Sequence, residues 1–221
     1  MVKIREIFTS IQGEGPFVGY KQIFIRLCGC NLNCKYCDTD YDSKNAKEYS
    51  IDDIVAFIRQ NINSHSVSLT GGEPLLHEKF IIDLFRNINN QIPIYLETNG
   101  TLYKALENVI DYIMYISADL KLPSATGLKP HWEEHEKFFQ IASSKMLFAK
   151  AVFNEDITDD EIKKISELCK QYNIELILQP MMINDVSSVS SEAMIRVLNS
   201  CLEIHKQVRL IPQVHKFINV I

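Results

Sequence analysis

Three cysteines lie close together near the start of the chain, in the segment CNLNCKYC. They are Cys30, Cys34 and Cys37, separated by three and then by two residues. Three closely spaced thiolates can bind three irons of a four-iron cluster, whereas clusters that only carry electrons are held by four cysteines. A fourth iron without a protein ligand can bind a small molecule directly. The spacing therefore predicts a 4Fe-4S cluster with one iron open to a ligand.

Zinc and disulfides are the alternative uses of these thiols. A structural zinc site needs four ligands, usually two C-x2-4-C pairs or a cysteine pair with a histidine pair. Cys28 could be a fourth thiol, but it stands only two residues from Cys30, and no second C-x2-C pair exists. A disulfide framework is not expected, because we find no secretory signal and the chain is long enough to need no staples. Cys169 and Cys201 stand alone in helical patterns, so we expect both to be buried as small apolar residues.

The composition predicts one globular domain. The chain has 221 residues, of which 46% are hydrophobic, so residues 1–221 suit a single core of ordinary size. A net charge of −5 gives no basic footprint for nucleic acid or an anionic membrane. Apolar runs are short, so we expect no bilayer span. Without a signal peptide, the cysteines indicate the reducing cytoplasm, where an oxygen-sensitive cluster survives.

The order of apolar patterns predicts an α/β fold. Strand-like segments, such as 22–27 and 67–70, alternate with helix-like segments, such as 51–62, which Ser50 opens as the first residue of a capping box. Such alternation is typical of parallel βαβ units. About six units are too few for an eight-fold barrel. The sequence therefore predicts a partial (βα) barrel of about six parallel strands.

Polar motifs fall where the predicted strands end. Ligands of parallel sheets and barrels gather at the carboxyl ends of the strands, so these motifs are expected to share one site. The paired glycines Gly71 and Gly72 would let the backbone approach a ligand closely. They also suit a plain strand-to-helix turn. The motifs are the cysteine loop, TGGE (70–73), ETN (97–99), SADLK (117–121) and QP (179–180).

The cysteine segment resembles the signature of the radical S-adenosylmethionine (SAM) enzymes, including the aromatic Tyr36 before the last cysteine. The resemblance implies that the open iron chelates SAM, and that one electron then splits SAM and releases a 5′-deoxyadenosyl radical. It also implies that residues 71–74 hold the SAM amino group. Lys121 could equally be a solvated surface lysine. The expected SAM contacts are Tyr36, Cys37, Asp38, Gly72, Glu73, Ser117, Asp119, Lys121 and Gln179.

Five motifs narrow the resemblance to the 7-carboxy-7-deazaguanine synthases of the 7-deazapurine (queuosine, archaeosine) pathway. They are IQGEG (11–15), an F-x-R-x-x-G-C strand (24–30), CDT (37–39), TGGEP (70–74) and a terminal Q-x-H-K (213–216). The family converts 6-carboxy-5,6,7,8-tetrahydropterin to 7-carboxy-7-deazaguanine by radical ring contraction with loss of ammonia.

The resemblance also implies a set of ligands. Magnesium would sit at the substrate carboxylate with Thr39 as its one side-chain ligand, which fits the habit of magnesium of keeping water and substrate oxygens. The planar fork of Arg26 suits a carboxylate, and Glu14 suits an aminopyrimidine edge. The family is usually a homodimer, and a flavodoxin- or ferredoxin-type protein is the expected reductant. The implied substrate contacts are Ile11, Gln12, Gly13, Glu14, Arg26, Thr70, His215 and the carboxylate of Ile221.

Two features of the sequence depart from the family pattern, and two other functions are still open. Cys28 stands where the family more often has a small or hydroxyl residue, and we expect it to be a bystander. Residues 117–121 match the family less closely than the N-terminal half does. A glycyl-radical activating enzyme would share the cysteine spacing but would have no small molecule for Arg26, Glu14 and His215. A non-catalytic iron–sulfur or zinc module would need a full set of four ligands.

Overall fold

The computed structural model describes residues 1–37, 39 and 42–220, except for the side chain of Asn45. Two of the predicted ligands, Asp38 and Ile221, lie outside the described residues.

The described elements alternate along most of the chain. The strands are β1 Val2–Ile11, β2 Lys21–Leu27, β3 Lys47–Tyr49, β4 Val67–Gly71, β5 Ile94–Thr98, β6 Tyr115–Asp119, β7 Met146–Phe153, β8 Glu175–Pro180, β9 Met182–Ile183, β10 Val186–Ser187 and β11 Val208–Leu210. The α-helices are α1 Ile51–Gln60, α2 Glu78–Ile88, α3 Tyr103–Val109, α4 Pro123–Thr126, α5 Trp132–Ala142, α6 Asp159–Gln171, α7 Ser191–Ile204 and α8 Val214–Ile218. Single turns of 3-10 helix span Gly15–Phe17, Ser43–Asn45, Pro74–His77 and Ile110–Tyr112.

Most strands form one open sheet, with the order β11-β8-β7-β6-β5-β4-β2-β1-β3. The seven strands from β11 to β2 run parallel to one another, whereas β1 is antiparallel to β2 and β3 is antiparallel to β1. This architecture confirms the predicted α/β class with a mostly parallel sheet. The parallel strands number seven rather than about six.

The N-terminal strand β1 is absent from the sequence prediction. Its register with β2 shifts between Ile4 and Glu6, which is the mark of a bulge. The side chains that pack on the large core therefore change from even positions (Val2, Ile4) to an odd position (Ile7) within one strand. A bulge breaks the two-residue period on which recognition of a strand depends. Strand β6 begins at Tyr115, after the 3-10 turn at residues 110–112.

The two faces of the sheet bury different side chains, since neighbours along a strand point to opposite faces. Ile23, Ile25 and Leu27 of β2 belong to the large apolar core, which also contains the buried faces of the helices. Phe24 and Arg26 of the same strand line a cavity on the other face. We call this second face the inner face. Cys169 and Cys201 are buried in the large core, as predicted.

Local signals in the sequence fix several helix starts. Ser50 and Asp53 form a reciprocal capping box at α1, and Thr158 and Glu161 form another at α6. Both boxes satisfy backbone N–H groups that a helix leaves unpaired in its first turn. Among the helices of the described residues, none is long and apolar enough to span a membrane.

The paired glycines let two strand ends pack against each other. A Cβ added to Gly72 would lie 1.8 Å from the carbonyl oxygen of Gly29, in the cysteine loop. Glu73 N donates to the same oxygen at 2.8 Å. Gly71 has a φ of 112°, in the region that favours glycine. These glycines therefore hold the cysteine loop against the end of β4.

We expect Gly72→Ala to lower both stability and iron loading. The added methyl group overlaps backbone, so the cysteine loop must move, and overpacking of this kind costs about 1–3 kcal/mol. The free energy of unfolding in denaturant and the iron content after anaerobic reconstitution measure the two effects. Gly19→Ala is the control, because a Cβ there meets open space and only the φ of 93° is unfavourable. Equal losses in the two variants would show that the close approach to Gly29 is unimportant.

Candidate active site

A cavity of about 380 Å³ opens on the inner face, where the parallel strands end. It brings together most of the residues that the sequence predicted as ligands. Two described ones, Glu73 and Ser117, are outside its lining. The predicted residues that line the cavity are Ile11, Gln12, Gly13, Glu14, Arg26, Cys30, Cys34, Tyr36, Cys37, Thr39, Thr70, Gly72, Asp119, Lys121, Gln179 and His215.

The three thiols of the cysteine loop face this cavity. Cys30 and Cys34 are half-buried and Cys37 is exposed. Burial raises the pKa of Cys30 and Cys34, an effect that the ammonium group of Lys121 opposes. Among the described residues no three His, Cys, Asp or Glu side chains converge on a point that would hold a single metal ion. A cluster whose irons each take one thiolate fits this spread arrangement.

Cys28 lies apart from these thiols. It is 6% exposed and does not line the cavity. A ring nitrogen of His77 lies 2.8 Å from its carbonyl oxygen, which ties the backbone here to the turn before α2. The bystander role of Cys28 stays a prediction.

Glu73 lies beneath the cavity lining and supports the turns around it. Its buried carboxylate accepts hydrogen bonds from Thr98 Oγ1 at 2.8 Å, Asn99 N at 2.8 Å and Leu75 N at 3.0 Å. Burial raises the pKa of Glu73 to about 7, against the effect of these donors. Glu73 therefore joins the turns that follow β4 and β5.

Polar side chains of the next turn reach the cysteine loop. Asn99 Nδ2 donates to Asn31 Oδ1 at 2.8 Å and lies 4.0 Å from the sulfur of Cys30. Asn31 Nδ2 in turn donates to Thr101 Oγ1 at 3.0 Å. The sequence analysis placed Asn99 among the polar motifs at the strand ends, without a specific contact. The contacts place it beside the first thiol.

Lys121 is buried and paired, so the alternative of a solvated surface lysine is wrong. It is 9% exposed, and its ammonium group lies 2.9 Å from Asp119 Oδ2 and 3.2 Å from the hydroxyl of Tyr36. Burial alone would lower the pKa of Lys121, but Asp119 outweighs burial and raises it. Lys121 therefore stays charged and connects the end of β6 to the cysteine loop.

The ring of His135, in α5, contacts the backbone at Lys121 and at Gly100. Its Nε2 accepts from Lys121 N at 3.2 Å, and its Nδ1 lies 3.2 Å from the carbonyl oxygen of Gly100. Since Nε2 accepts a hydrogen bond from Lys121 N, Nδ1 must carry the ring hydrogen and donate a hydrogen bond to the carbonyl oxygen of Gly100. Burial lowers the pKa of His135 to about 3, so the ring is neutral. The sequence gave no signal for this role, because a lone histidine in a helix is common.

A second group of hydrogen-bonded polar side chains is centred on Gln12 and Glu97, which both line the cavity. Gln12 Nε2 donates to Glu97 Oε1 at 2.9 Å and to Gln22 Oε1 at 3.0 Å, and Gln12 Oε1 accepts from Glu14 N at 3.0 Å. Ser68 Oγ also donates to Glu97 Oε1, at 2.7 Å. Burial raises the pKa of Glu97. Gln12 is therefore fixed in orientation by partners on three strands or loops.

The loop after β1 and the C-terminal helix α8 pack directly on each other. Val214 N donates to the carbonyl oxygen of Gly13 at 2.8 Å, and a Cβ on Gly13 would overlap His215. Gln213 Nε2 donates to Glu14 Oε1 at 2.8 Å. The IQGEG and Q-x-H-K motifs, at opposite ends of the sequence, thus form one structural unit.

Arg26 presents its guanidinium group to the cavity from β2. Its side chain is 29% exposed, stacks at 5.2 Å over the ring of Phe8, and has Nε 3.4 Å from Glu6 Oε2. Both partners are on β1, the neighbouring strand. The stacking fixes the plane of the fork while part of it stays accessible.

Lys150 is the main lining residue that the sequence analysis missed. It lies in β7, is 7% exposed, and its ammonium group contacts the Glu14 carboxylate and lies 3.3 Å from Asp119 Oδ1. The signal was available, since Lys150 is the only charged residue in the strand MLFAKAVF. Burial would raise the pKa of Glu14, but Lys150, Gln213 and His215 lower it to about 2.

One observation in the cavity fits a bound polar cofactor. Gln179 Oε1 is buried and accepts no hydrogen bond from the described residues, yet the side chain lines the cavity. A buried acceptor without a donor costs about 1–3 kcal/mol, which a donor on a ligand would recover. Ser117 lies instead beneath the lining, 3% exposed, with its hydroxyl bonded to Tyr95.

Comparison with known proteins identifies relatives of the whole chain. Residues 24–188 match the Radical SAM superfamily. The chain is 34% identical to a 7-carboxy-7-deazaguanine synthase of Geobacter sulfurreducens, over 97% of this chain and 96% of the relative. It is also 34% identical to a 7-carboxy-7-deazaguanine synthase of Archaeoglobus fulgidus, over 97% of both chains.

Solved structures share the fold. The crystal structure of QueE from Escherichia coli has a TM-score of 0.70 at 24% identity and covers 97% of this chain and 94% of its own. A structure of TYW1 with a lysine–pyruvate adduct has a TM-score of 0.60 at 18% identity, covering 83% and 74%. The chain therefore belongs to the radical SAM superfamily and, within it, to the family of 7-carboxy-7-deazaguanine synthases.

Proposed function

We propose that this radical SAM lyase converts 6-carboxy-5,6,7,8-tetrahydropterin to 7-carboxy-7-deazaguanine with loss of ammonia, in 7-deazapurine biosynthesis. The observation that carries the proposal is the shared cavity. The cavity is lined both by three thiols and a buried lysine–aspartate pair and by Gln12, Glu14 and Arg26. The first set suits an iron–sulfur cluster with SAM, and the second suits a carboxylated aminopyrimidine.

The residues around the cysteine loop fit the cofactors. Cys30, Cys34 and Cys37 would each bind one iron of a 4Fe-4S cluster. Tyr36, Gly72, Asp119, Lys121 and Gln179 would bind SAM, with Glu73 acting indirectly through the turns that it joins. When bound, the cluster and SAM supply a radical that can abstract a hydrogen atom. The protein orients the reactants and excludes water.

Polar groups of the second set would orient the pterin. Glu14 is held ionised, so it accepts hydrogen bonds from the N–H groups of an aminopyrimidine. Gln12 lies beside it with its orientation fixed, and Arg26 offers a bidentate fork for the carboxylate. Ile11, Gly13, Thr70 and His215 complete the proposed contacts. Asp38 and Ile221 stay predictions.

Further parts of the proposal come from the family resemblance. Magnesium would bind the substrate carboxylate with Thr39, which lines the cavity. We also propose a homodimer, a flavodoxin- or ferredoxin-type reductant, a cytoplasmic location and a single domain over residues 1–221.

An anaerobic turnover assay tests the proposed function. The protein is reconstituted with iron and sulfide, reduced, and incubated with SAM, with and without the pterin. We expect 5′-deoxyadenosine in both cases and 7-carboxy-7-deazaguanine only with the pterin. SAM cleavage without this product would indicate a radical SAM enzyme that acts on another substrate, such as a glycyl-radical activating enzyme. Absence of SAM cleavage would favour a non-catalytic module.

Replacing any one of Cys30, Cys34 and Cys37 with Ala should abolish stable iron loading and SAM cleavage together, because each thiolate would bind one iron. Iron content and the absorbance of the reconstituted cluster measure the first effect. Cys28→Ala is the matched control and should load iron normally. Loss of the cluster in Cys28→Ala, with retention in one of the other three, would reverse the ligand assignment.

Arg26→Lys should weaken pterin binding by about tenfold to a hundredfold, since loss of a hydrogen bond to a charged group costs roughly 1.5–3 kcal/mol. Lysine keeps the charge but cannot form the bidentate fork. Arg209→Lys is the control, because Arg209 binds Glu175 by a similar fork at 2.6 and 2.8 Å on the exposed surface. Unchanged affinity in Arg26→Lys would remove this residue from the substrate site.

Thr39→Ala should retain the cluster but require more magnesium for turnover, because one hard oxygen ligand is lost. Thr39→Ser keeps the hydroxyl group and should behave as the wild type. A magnesium titration of the turnover rate measures the difference. Coincident titrations of all three proteins would exclude Thr39 as a ligand.

A further inference from the structure

The inner face of the sheet carries a line of alternating charges that runs between the two sets of lining residues. It begins at Glu14, in the loop after β1, and passes through Lys150 of β7 to Asp119 of β6. From Asp119 it continues to Lys121 and to the hydroxyl of Tyr36. Lys150 occupies the centre of this line, and neither the sequence motifs nor the family resemblance gives it a role.

Lys150 cannot be explained as a solvated surface lysine. It is 7% exposed, in a strand whose other residues from Phe148 to Phe153 are buried and apolar. A buried ammonium group is costly unless charged or polar partners surround it. Both carboxylates that it contacts face the cavity. An apolar residue of similar volume would avoid the cost of desolvating a charge. Packing alone therefore does not explain the buried ammonium group of Lys150.

We infer that Lys150 is a positioning residue that holds the Glu14 carboxylate toward the pterin and ties it to Asp119, a proposed SAM contact. The inference rests on the proposed function and assigns a new residue to its substrate site. Lys150 acts through Glu14, whose second oxygen is held by Gln213. With both oxygens fixed, the carboxylate keeps one orientation when the ligand arrives.

The electrostatic environment supports this role. Burial by itself would raise the pKa of Glu14, and Lys150 is the strongest opposing influence. Without Lys150, Glu14 would take up a proton at a higher pH and lose an acceptor for the pterin N–H groups. The charged or titratable groups that face this pair from the surrounding elements are Asp119, Glu97, Tyr95, Lys121 and His215.

Lys150→Met tests the inference in the reconstituted holoenzyme with SAM and an unreduced cluster, so that binding is measured without turnover. We expect the dissociation constant of the pterin to rise on the order of tenfold at neutral pH, as for loss of a charge-assisted contact. It should rise further as the pH is lowered from neutrality, because Glu14 without Lys150 takes up a proton at a higher pH than in the wild type. Glu14 of the wild type stays ionised, so the pterin affinity of the wild type should change less over the same range. Iron content should stay near the wild-type value, and SAM affinity should change less than pterin affinity, because Asp119 keeps its pair with Lys121.

Three further variants separate positioning from a structural role. Lys150→Arg keeps the charge and should restore most of the affinity and the weaker pH dependence of the wild type. Lys163→Met removes a lysine from an exposed pair with Glu167 on α6 and should change nothing. In a Glu14→Gln background, Lys150→Met should cause no additional loss, since the group through which Lys150 acts is already gone.

Each result decides a defined question. If the wild type does not bind the pterin, the proposed function fails and this inference fails with it. If the wild type binds but Lys150→Met binds equally well, only the inference fails. It also fails if the loss is additive with Glu14→Gln, or if iron content falls in parallel with pterin affinity, because Lys150 would then support the fold.

Discussion

Buried charges on the inner face must be paired, and much of the site is built around this constraint. A sheet face that will bind a polar ligand cannot be filled with apolar side chains. The desolvation of an ammonium or carboxylate group there is offset only by close partners of opposite charge and by hydrogen bonds. Lys150 and Lys121 meet this condition with Glu14 and Asp119. Because these four side chains come from three segments, the loop after β1, the end of β6, and β7, their pairing also fixes those segments relative to one another.

The constraint explains why the two ends of the chain meet. The loop that follows β1 starts beside the amino end of β2, where Ile11 pairs with Lys21. It then turns onto the inner face, where Phe17 packs against Tyr95 and Phe148 below the cavity. Helix α8 covers this loop from the other side. The floor of the proposed pterin site is thus made from the N-terminal loop rather than from the strand ends.

The large apolar core, on the face of the sheet opposite the inner face, supports this arrangement. Two capping boxes fix the starts of α1 and α6, and the helices bury apolar faces in the large core. The strands are thereby held in a single register, and a shift of one residue would exchange the cavity face for the core face. Rigid strands therefore hold the charged side chains at the short distances that their pairing requires.

The sequence by itself determined the fold class and named most of the residues that line the cavity, and its assignment of the three cysteines as cluster ligands stays a prediction. Strand and helix periods are local patterns, and the five motifs are contiguous, so both are visible without coordinates. It did not predict β1, because a bulge changes the apolar period within the strand. Only the tertiary structure decided that Glu73 supports turns rather than lining the cavity, that Lys121 is buried, and that Lys150 belongs to the site. These outcomes depend on pairing between residues as far apart as Glu14 and Lys150, and a pairing of charges across strands leaves no periodic signal along the chain.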